Sequence, residues 1–158
     1  MDIIKIHTEI LKAIKENKQI NYFVDKENRK IYLSYNYCFI VILSLSDFYL
    51  DLKSIYFREN KACIDIIKDT CKTAADKLIF TNSLQMINKI KTLKFSAVNQ
   101  EKEKYNIYIN EKYLKLYGKL EFIDLYTYGN LRPVIIKQKN NNEILGVITP
   151  IKNSNITE

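Results

Sequence analysis

The sequence predicts an α+β fold of antiparallel sheets and short helices, and three observations carry that prediction. Short apolar segments suited to strands are interleaved with segments that follow the 3.6-residue helical period. Polar runs such as Asp25-Lys-Glu-Asn-Arg-Lys30 and Lys139-Asn-Asn-Asn-Glu143 separate neighbouring strand candidates and suit hairpin turns, which makes the sheets mostly antiparallel. At 158 residues the chain suits one compact domain or two very small ones, and is too short for a conventional multidomain enzyme.

Residues 2–7 read as a short strand, with Ile4 and Ile6 alternating. Thr8 is a candidate N-cap for a helix over 8–18, with Ile10, Leu11 and Ile14 on one side and Lys12, Lys15 and Gln19 on the other. Ile20–Val24 and Ile31–Tyr35 form a predicted hairpin. The apolar run 37–45 follows as a central strand, because little in it alternates. Over 65–78 the period becomes helical, with Ile67, Cys71, Ala74 and Leu78 on one stripe. Asn82 or Ser83 then caps a further predicted helix holding Leu84, Ile87 and Ile90. After a polar stretch, Asn99–Lys104, comes the strand Tyr105–Ile109. Asn110 caps a short helix over 110–118 that Gly118 can stop. Strands are expected at 120–126, 133–138 and 143–149, the last two joined by the Asn-rich turn.

Hydrophobic residues make up 47% and charged residues 27%, which excludes a wholly disordered chain. Twenty-five Lys and Arg stand against 18 Asp and Glu, for a formal charge of +7, and only Arg29, Arg58 and Arg132 are arginines. A basic surplus suits an anionic partner, whereas base-specific readers favour the planar fork of arginine. An AT-rich genome also pushes composition toward Lys, Asn, Ile and Tyr. No apolar run has the roughly 20 residues that span a bilayer, and residues 1–18 have no secretory pattern, so a cytoplasmic location is expected. Cys38, Cys63 and Cys71 have no CxxC spacing and read as small buried hydrophobes.

Catalytic constellations are missing from the pattern. His7 is the one histidine, and no partner motif accompanies it. Asp47, Asp51, Asp65, Asp69 and Asp76 sit in mostly local, solvated contexts, with Asp65 and Asp69 beside Lys68 and Lys72. The three glycines, Gly118, Gly129 and Gly146, are too scattered for a phosphate loop. No enzyme activity, metal site or cofactor is expected. Tyr22, Tyr32, Tyr35 and Tyr37 fall on predicted strands and offer a possible base-stacking platform, although strands favour tyrosine anyway.

The segment 105–152 carries a family resemblance. It reads YNIYINEKYLKLYGKL, then YGNLRPVIIKQKNNNEILGVITPIK, with Leu131-Arg132-Pro133-Val134 at a strand entry and Val147-Ile148-Thr149-Pro150-Ile151-Lys152 at its end. This resembles the last domain of the bacterial β sliding clamp, the DNA-encircling processivity factor of replication. A subunit of that family has three such domains; this chain has length for about one plus an extension. The resemblance implies a single clamp-like domain over 1–152, in which 46–104 has no counterpart and 153–158 is a tail. It further implies that helices 8–18 and 110–118 face DNA, so that Lys12, Lys15, Lys112, Lys115 and Lys119 touch phosphates without regard to sequence. The closing strands would shape a pocket for partner peptides from Val134, Ile136, Val147, Ile148, Pro150 and Ile151.

The expected function is that of a non-enzymatic, clamp-like accessory protein of a phage or other mobile element. Its expected partners are DNA or replication proteins, with a homo-oligomer possible and no membrane. The rival expectation is a small phage-encoded protein that blocks or redirects a host protein without binding DNA.

Overall fold

In a computed structural model, which describes residues 1–35 and 38–152, the first element is helix α1, Ile3–Lys15. It replaces the strand expected at 2–7, because Asp2 is the actual N-cap: its carboxylate accepts the Lys5 N–H at 3.1 Å. Ile6, Ile10 and Ala13 then form one buried stripe, and the Thr8 hydroxyl donates back to the Ile4 carbonyl at 2.8 Å. The α+β class predicted from sequence is what the fold shows.

An eight-stranded sheet follows. It contains β1 (Ile20–Asp25), β2 (Lys30–Tyr35), β3 (Phe39–Ser44), β4 (Phe57–Glu59), β5 (Asp76–Lys77), β9 (Ile123–Thr127), β10 (Val134–Gln138) and β11 (Ile144–Ile148). Its order is β4-β1-β2-β3-β11-β10-β9-β5, antiparallel except where β4 joins β1. The second sheet has three antiparallel strands, β6 (Ile79–Ile87), β7 (Ile90–Val98) and β8 (Lys104–Asn110). Helix α2 is Ala62–Thr73, and α3 is a single turn, Glu111–Leu114. The large sheet is two halves in mirrored order. Each runs helix then three antiparallel strands, α1-β1-β2-β3 and α3-β9-β10-β11, and they meet where β3 pairs with β11.

Both faces of the central strands are covered, which is why the apolar run at 39–43 does not alternate. Ile31, Leu33, Val41, Val134 and Ile136 belong to a core shared with α1, with Leu114, and with Leu93, Phe95, Ile107 and Ile109 of the three-stranded sheet. Tyr32, Ile40, Ile42, Ile135 and Val147 pack on the other face under Cys63, Ile64 and Ile67 of α2. At the junction of the halves, Gly146 is opposite Val41 and the buried Tyr117 lies over it. The Tyr117 hydroxyl is 2.9 Å from the carbonyl oxygens of both Ile40 and Val147, and donates its one proton across that pair. Burial holds the phenol well above its ordinary pKa.

Two further expected elements differ, one replaced and one shortened. The helix predicted from Asn82 is the β6–β7 hairpin. Leu84, Ile87 and Ile90 mimic a helical stripe, but Asn88 and Lys89 both take positive φ, 50° and 65°, and turn the chain so that Ile87 pairs with Ile90. The helix expected over 65–78 ends at Thr73, and Asp76–Lys77 leave it to pair with β9.

Candidate nucleic-acid interface

Burial of Ile6, Ile10 and Ala13 leaves Lys5, Lys12 and Lys15 on the exposed part of α1. On α3, Asn110 is the cap expected from sequence, its side-chain oxygen accepting the Lys112 N–H at 2.9 Å. Leu114 is buried there and Tyr113 packs against Phe39, with ring centroids 5.0 Å apart, so Lys112 and Lys115 point to solvent. The two helices are neighbours. Lys112 of α3 pairs with Glu9 of α1, and the Asp2 N–H donates to the Leu116 carbonyl at 2.9 Å.

Between α1, α3 and the β6–β7 turn runs a groove of about 570 Å³. Five lysines line it, Lys5, Lys89, Lys91, Lys112 and Lys115, against two carboxylates, Glu9 and Glu111. Glu111 organises its floor, receiving Lys91 and Lys115 at 2.9 Å each. Hydrogen bonds from Lys115 and Lys91 hold its carboxyl below the ordinary glutamate range, so it stays charged and fixes both ammoniums in place. Lys5 pairs with Asp2 at 2.6 Å. Lys12, Lys15 and Lys89 form no ion pair among the described residues, which leaves them the freest cations on this side. Excess ammonium charge around a groove attracts phosphate without reading bases.

Of the five lysines singled out from sequence, Lys112 and Lys115 come together in this groove. Lys12 and Lys15 extend along the outside of α1 toward its C-terminal end, and Glu16 feels both Lys12 and Lys112. Lys119 stands apart, 3.6 Å from Glu121. Lys5, Lys89 and Lys91 were not anticipated. Lys5 became visible only once α1 began at Ile3, and the other two only once the expected helix became a hairpin.

The closing strands are arranged differently from the expected pocket. Val134, Ile136, Val147 and Ile148 are fully buried, because helices and sheet cover both faces of β10 and β11. Pro150 and Ile151 are half-buried. Ile151 donates its N–H to the Tyr108 carbonyl at 2.8 Å and lines a separate groove of about 950 Å³ with Tyr105, Tyr128 and Leu131. There the Tyr105 hydroxyl donates to Asp76 at 2.6 Å, and Arg132 lies over the Tyr128 ring at 5.5 Å.

The other candidates have structural settings. His7 stacks on Phe48 and Tyr49, donates from Nδ1 to the Ile3 carbonyl at 2.9 Å and accepts the Tyr49 N–H at Nε2, 3.4 Å away. Tyr32 is buried under α2, Tyr22 meets the edge of Phe57 and Tyr35 lies under Lys18, so these three form no open stacking platform. Tyr37 and the tail 153–158 fall outside the described residues. Cys63 is buried, as expected, and burial pushes its thiol up to about 11; Cys38 is half-buried, whereas Cys71 is exposed. Among the described residues, no three His, Cys, Asp or Glu side chains converge as metal ligands, and no helix is long and apolar enough to cross a membrane.

Compared with models of protein families, with curated proteins and with solved structures, the chain matches none.

Proposed function

We infer that this chain is a clamp-like accessory protein that binds nucleic acid through its phosphates, using the lysine-lined groove and the adjoining face of α1. The observation that carries this reading is the side-by-side packing of α1 and α3, which gathers Lys5, Lys89, Lys91, Lys112 and Lys115 around one groove. The mirrored halves of the large sheet support the clamp-like part, since each half contributes one helix to the same side. Lysine without arginine at the groove suits binding that ignores sequence.

The test is fluorescence anisotropy with duplex and single-stranded DNA across a salt series. Log affinity should fall linearly with log salt, with a slope of about −0.9 per phosphate neutralised on duplex DNA. Reversing the unpaired Lys12, Lys15 and Lys89 to Glu should weaken binding and flatten that slope. Binding to no DNA form, or binding indifferent to salt, sinks the reading.

One observation favours a second reading, an interaction protein that blocks or redirects a host protein. Lys112, Lys115 and Lys119 are each engaged by a glutamate, so part of the positive charge is already neutralised. A stoichiometric protein partner recovered from a host lysate, together with no DNA affinity, would move the assignment there.

A further inference from the structure

Beside the lysine groove runs an apolar strip that phosphate contact alone leaves unused. β6 carries no charged residue from Ile79 to Ile87. Leu84 and Met86 leave it on one side, 54% and 67% exposed. Met86 is directly opposite Lys91, which lines the groove. Partners across a strand pair project to the same face, so Met86 stands next to Lys91 and Leu84 one step further along. Lys89 and the 37% exposed Ile90 line the groove at the same end. Ammonium groups and apolar surface therefore lie side by side, offset by about 4.8 Å, the spacing of adjacent strands.

Duplex DNA does not match that pattern. Its outside is phosphate and sugar, so the strip would face charged backbone, and its stacked bases rise only about 3.4 Å each along a strand. Leu84 and Met86 are two residues apart on a strand, roughly 6.8 Å. That is twice the duplex rise and suits bases splayed apart on an extended strand, one base to each side chain. Single-strand binders join a cationic groove for the backbone to apolar, usually aromatic, surfaces for the bases. The thioether of Met86 fits the second role, since its sulfur packs well against aromatic rings.

We propose that the groove takes a short run of single-stranded DNA, with phosphates at Lys89 and Lys91 and two successive bases on Leu84 and Met86. This rests on the phosphate-binding reading of the same groove and specifies the form of nucleic acid it admits. Charge complementarity selects the occupant: five lysines against two carboxylates meet the backbone, while the strip that meets the bases is uncharged. Leu84 and Met86 offer a ribose hydroxyl no hydrogen-bond partner, so deoxyribose is the better fit.

The test is fluorescence anisotropy of the intact chain at one salt concentration with four probes. These are a twelve-nucleotide oligothymidylate, an abasic strand with the same number of phosphates, a duplex of the same length, and the ribose form of the thymidylate strand. Thymidylate should bind about tenfold more tightly than the abasic strand, the worth of one or two base contacts. Equal affinity for those two overturns the proposal, and leaves phosphate contact standing if both respond to salt. A ribose strand that binds more tightly than its deoxyribose counterpart overturns the assignment to DNA. Binding of none of the four overturns this proposal and the phosphate reading together. The double variant Leu84→Ser, Met86→Ser alters two exposed side chains, so its circular dichroism should stay that of wild type. Its thymidylate affinity should fall to the abasic level, with abasic and duplex affinities unchanged. Thymidylate affinity that stays at the wild-type value, or duplex affinity that falls equally, overturns the proposal. Met86→Phe keeps an apolar side chain that strands favour and should tighten thymidylate binding about threefold. Weaker thymidylate binding by that variant, with abasic binding unchanged, overturns the placement of a base on Met86.

Discussion

Replacing Gly146 by alanine should wedge the two halves of the large sheet apart. A Cβ at this position would lie 2.0 Å from the Ile40 carbonyl oxygen and 2.7 Å from Cε1 of Tyr117. Ordinary contact requires about 3.5 Å, so β3 and β11 would have to separate by roughly 1.5 Å. A hydrogen bond of about 2.9 Å stretched that far is no longer one. The register here has three pairs, Gly146 with Val41, Val147 with Ile40 and Ile148 with Phe39. Loss of two ladder bonds costs about 1 kcal/mol each. Alanine at φ 152° adds strain of about 1–2 kcal/mol. The sum is about 3–4 kcal/mol, which for a chain of this size lowers the melting midpoint by roughly 10 °C. Differential scanning calorimetry and urea unfolding at neutral pH measure it. Tyr117→Phe keeps the ring and removes the hydroxyl shared by the two carbonyls, so it should cost only about 1 kcal/mol. A midpoint for Gly146→Ala within about 2 °C of wild type would refute the close approach at this junction.

Two further stability predictions concern other sites. The buried Ser34 hydroxyl has no hydrogen-bond partner among the described residues, so Ser34→Ala should be neutral or stabilise by up to about 1 kcal/mol; a clear loss in urea unfolding would contradict that. Glu111 titrates below its ordinary 4.5 in the folded chain because Lys115 and Lys91 donate to it. A depressed folded pKa contributes stability that is fully present above the unfolded value and is lost as pH falls through the folded one. Melting midpoints should therefore drop on acidification below about 4.5, and Glu111→Gln should lower the neutral-pH midpoint while flattening that acid dependence. An acid dependence identical in the two chains would show that Glu111 does not organise the groove.

The hairpins β1–β2 and β10–β11 were legible in the sequence because each is local: apolar segments joined by charged or Asn-rich turns whose side chains tolerate the required backbone. Asn110 was legible as a cap for the same reason, since its partner is the Lys112 N–H two residues on. The first misreading placed the helix start at Thr8 and a strand before it. The helix starts at Asp2 instead, because Ile6, pointing inward, has a sheet to pack against. The second came from spacing. Leu84, Ile87 and Ile90 satisfy a helical stripe, whereas Leu93, Phe95 and Ala97 alternate as a strand, and only a facing core decides between two periods that overlap.

The candidate site divides in the same way. Which residues carry charge, and that Lys112 and Lys115 share a face of α3 away from Leu114, could be read along the chain, because both follow from composition and helical geometry. That Lys5, Lys89 and Lys91 join them is a product of folding, since those lysines come from separated segments brought together by the packing of α1, α3 and the β6–β7 turn. Folding also decided that Val134, Ile136, Val147 and Ile148 are core and not pocket. An apolar strand residue reads the same in sequence whether its face meets a ligand or a helix, and here both faces of the sheet are already covered.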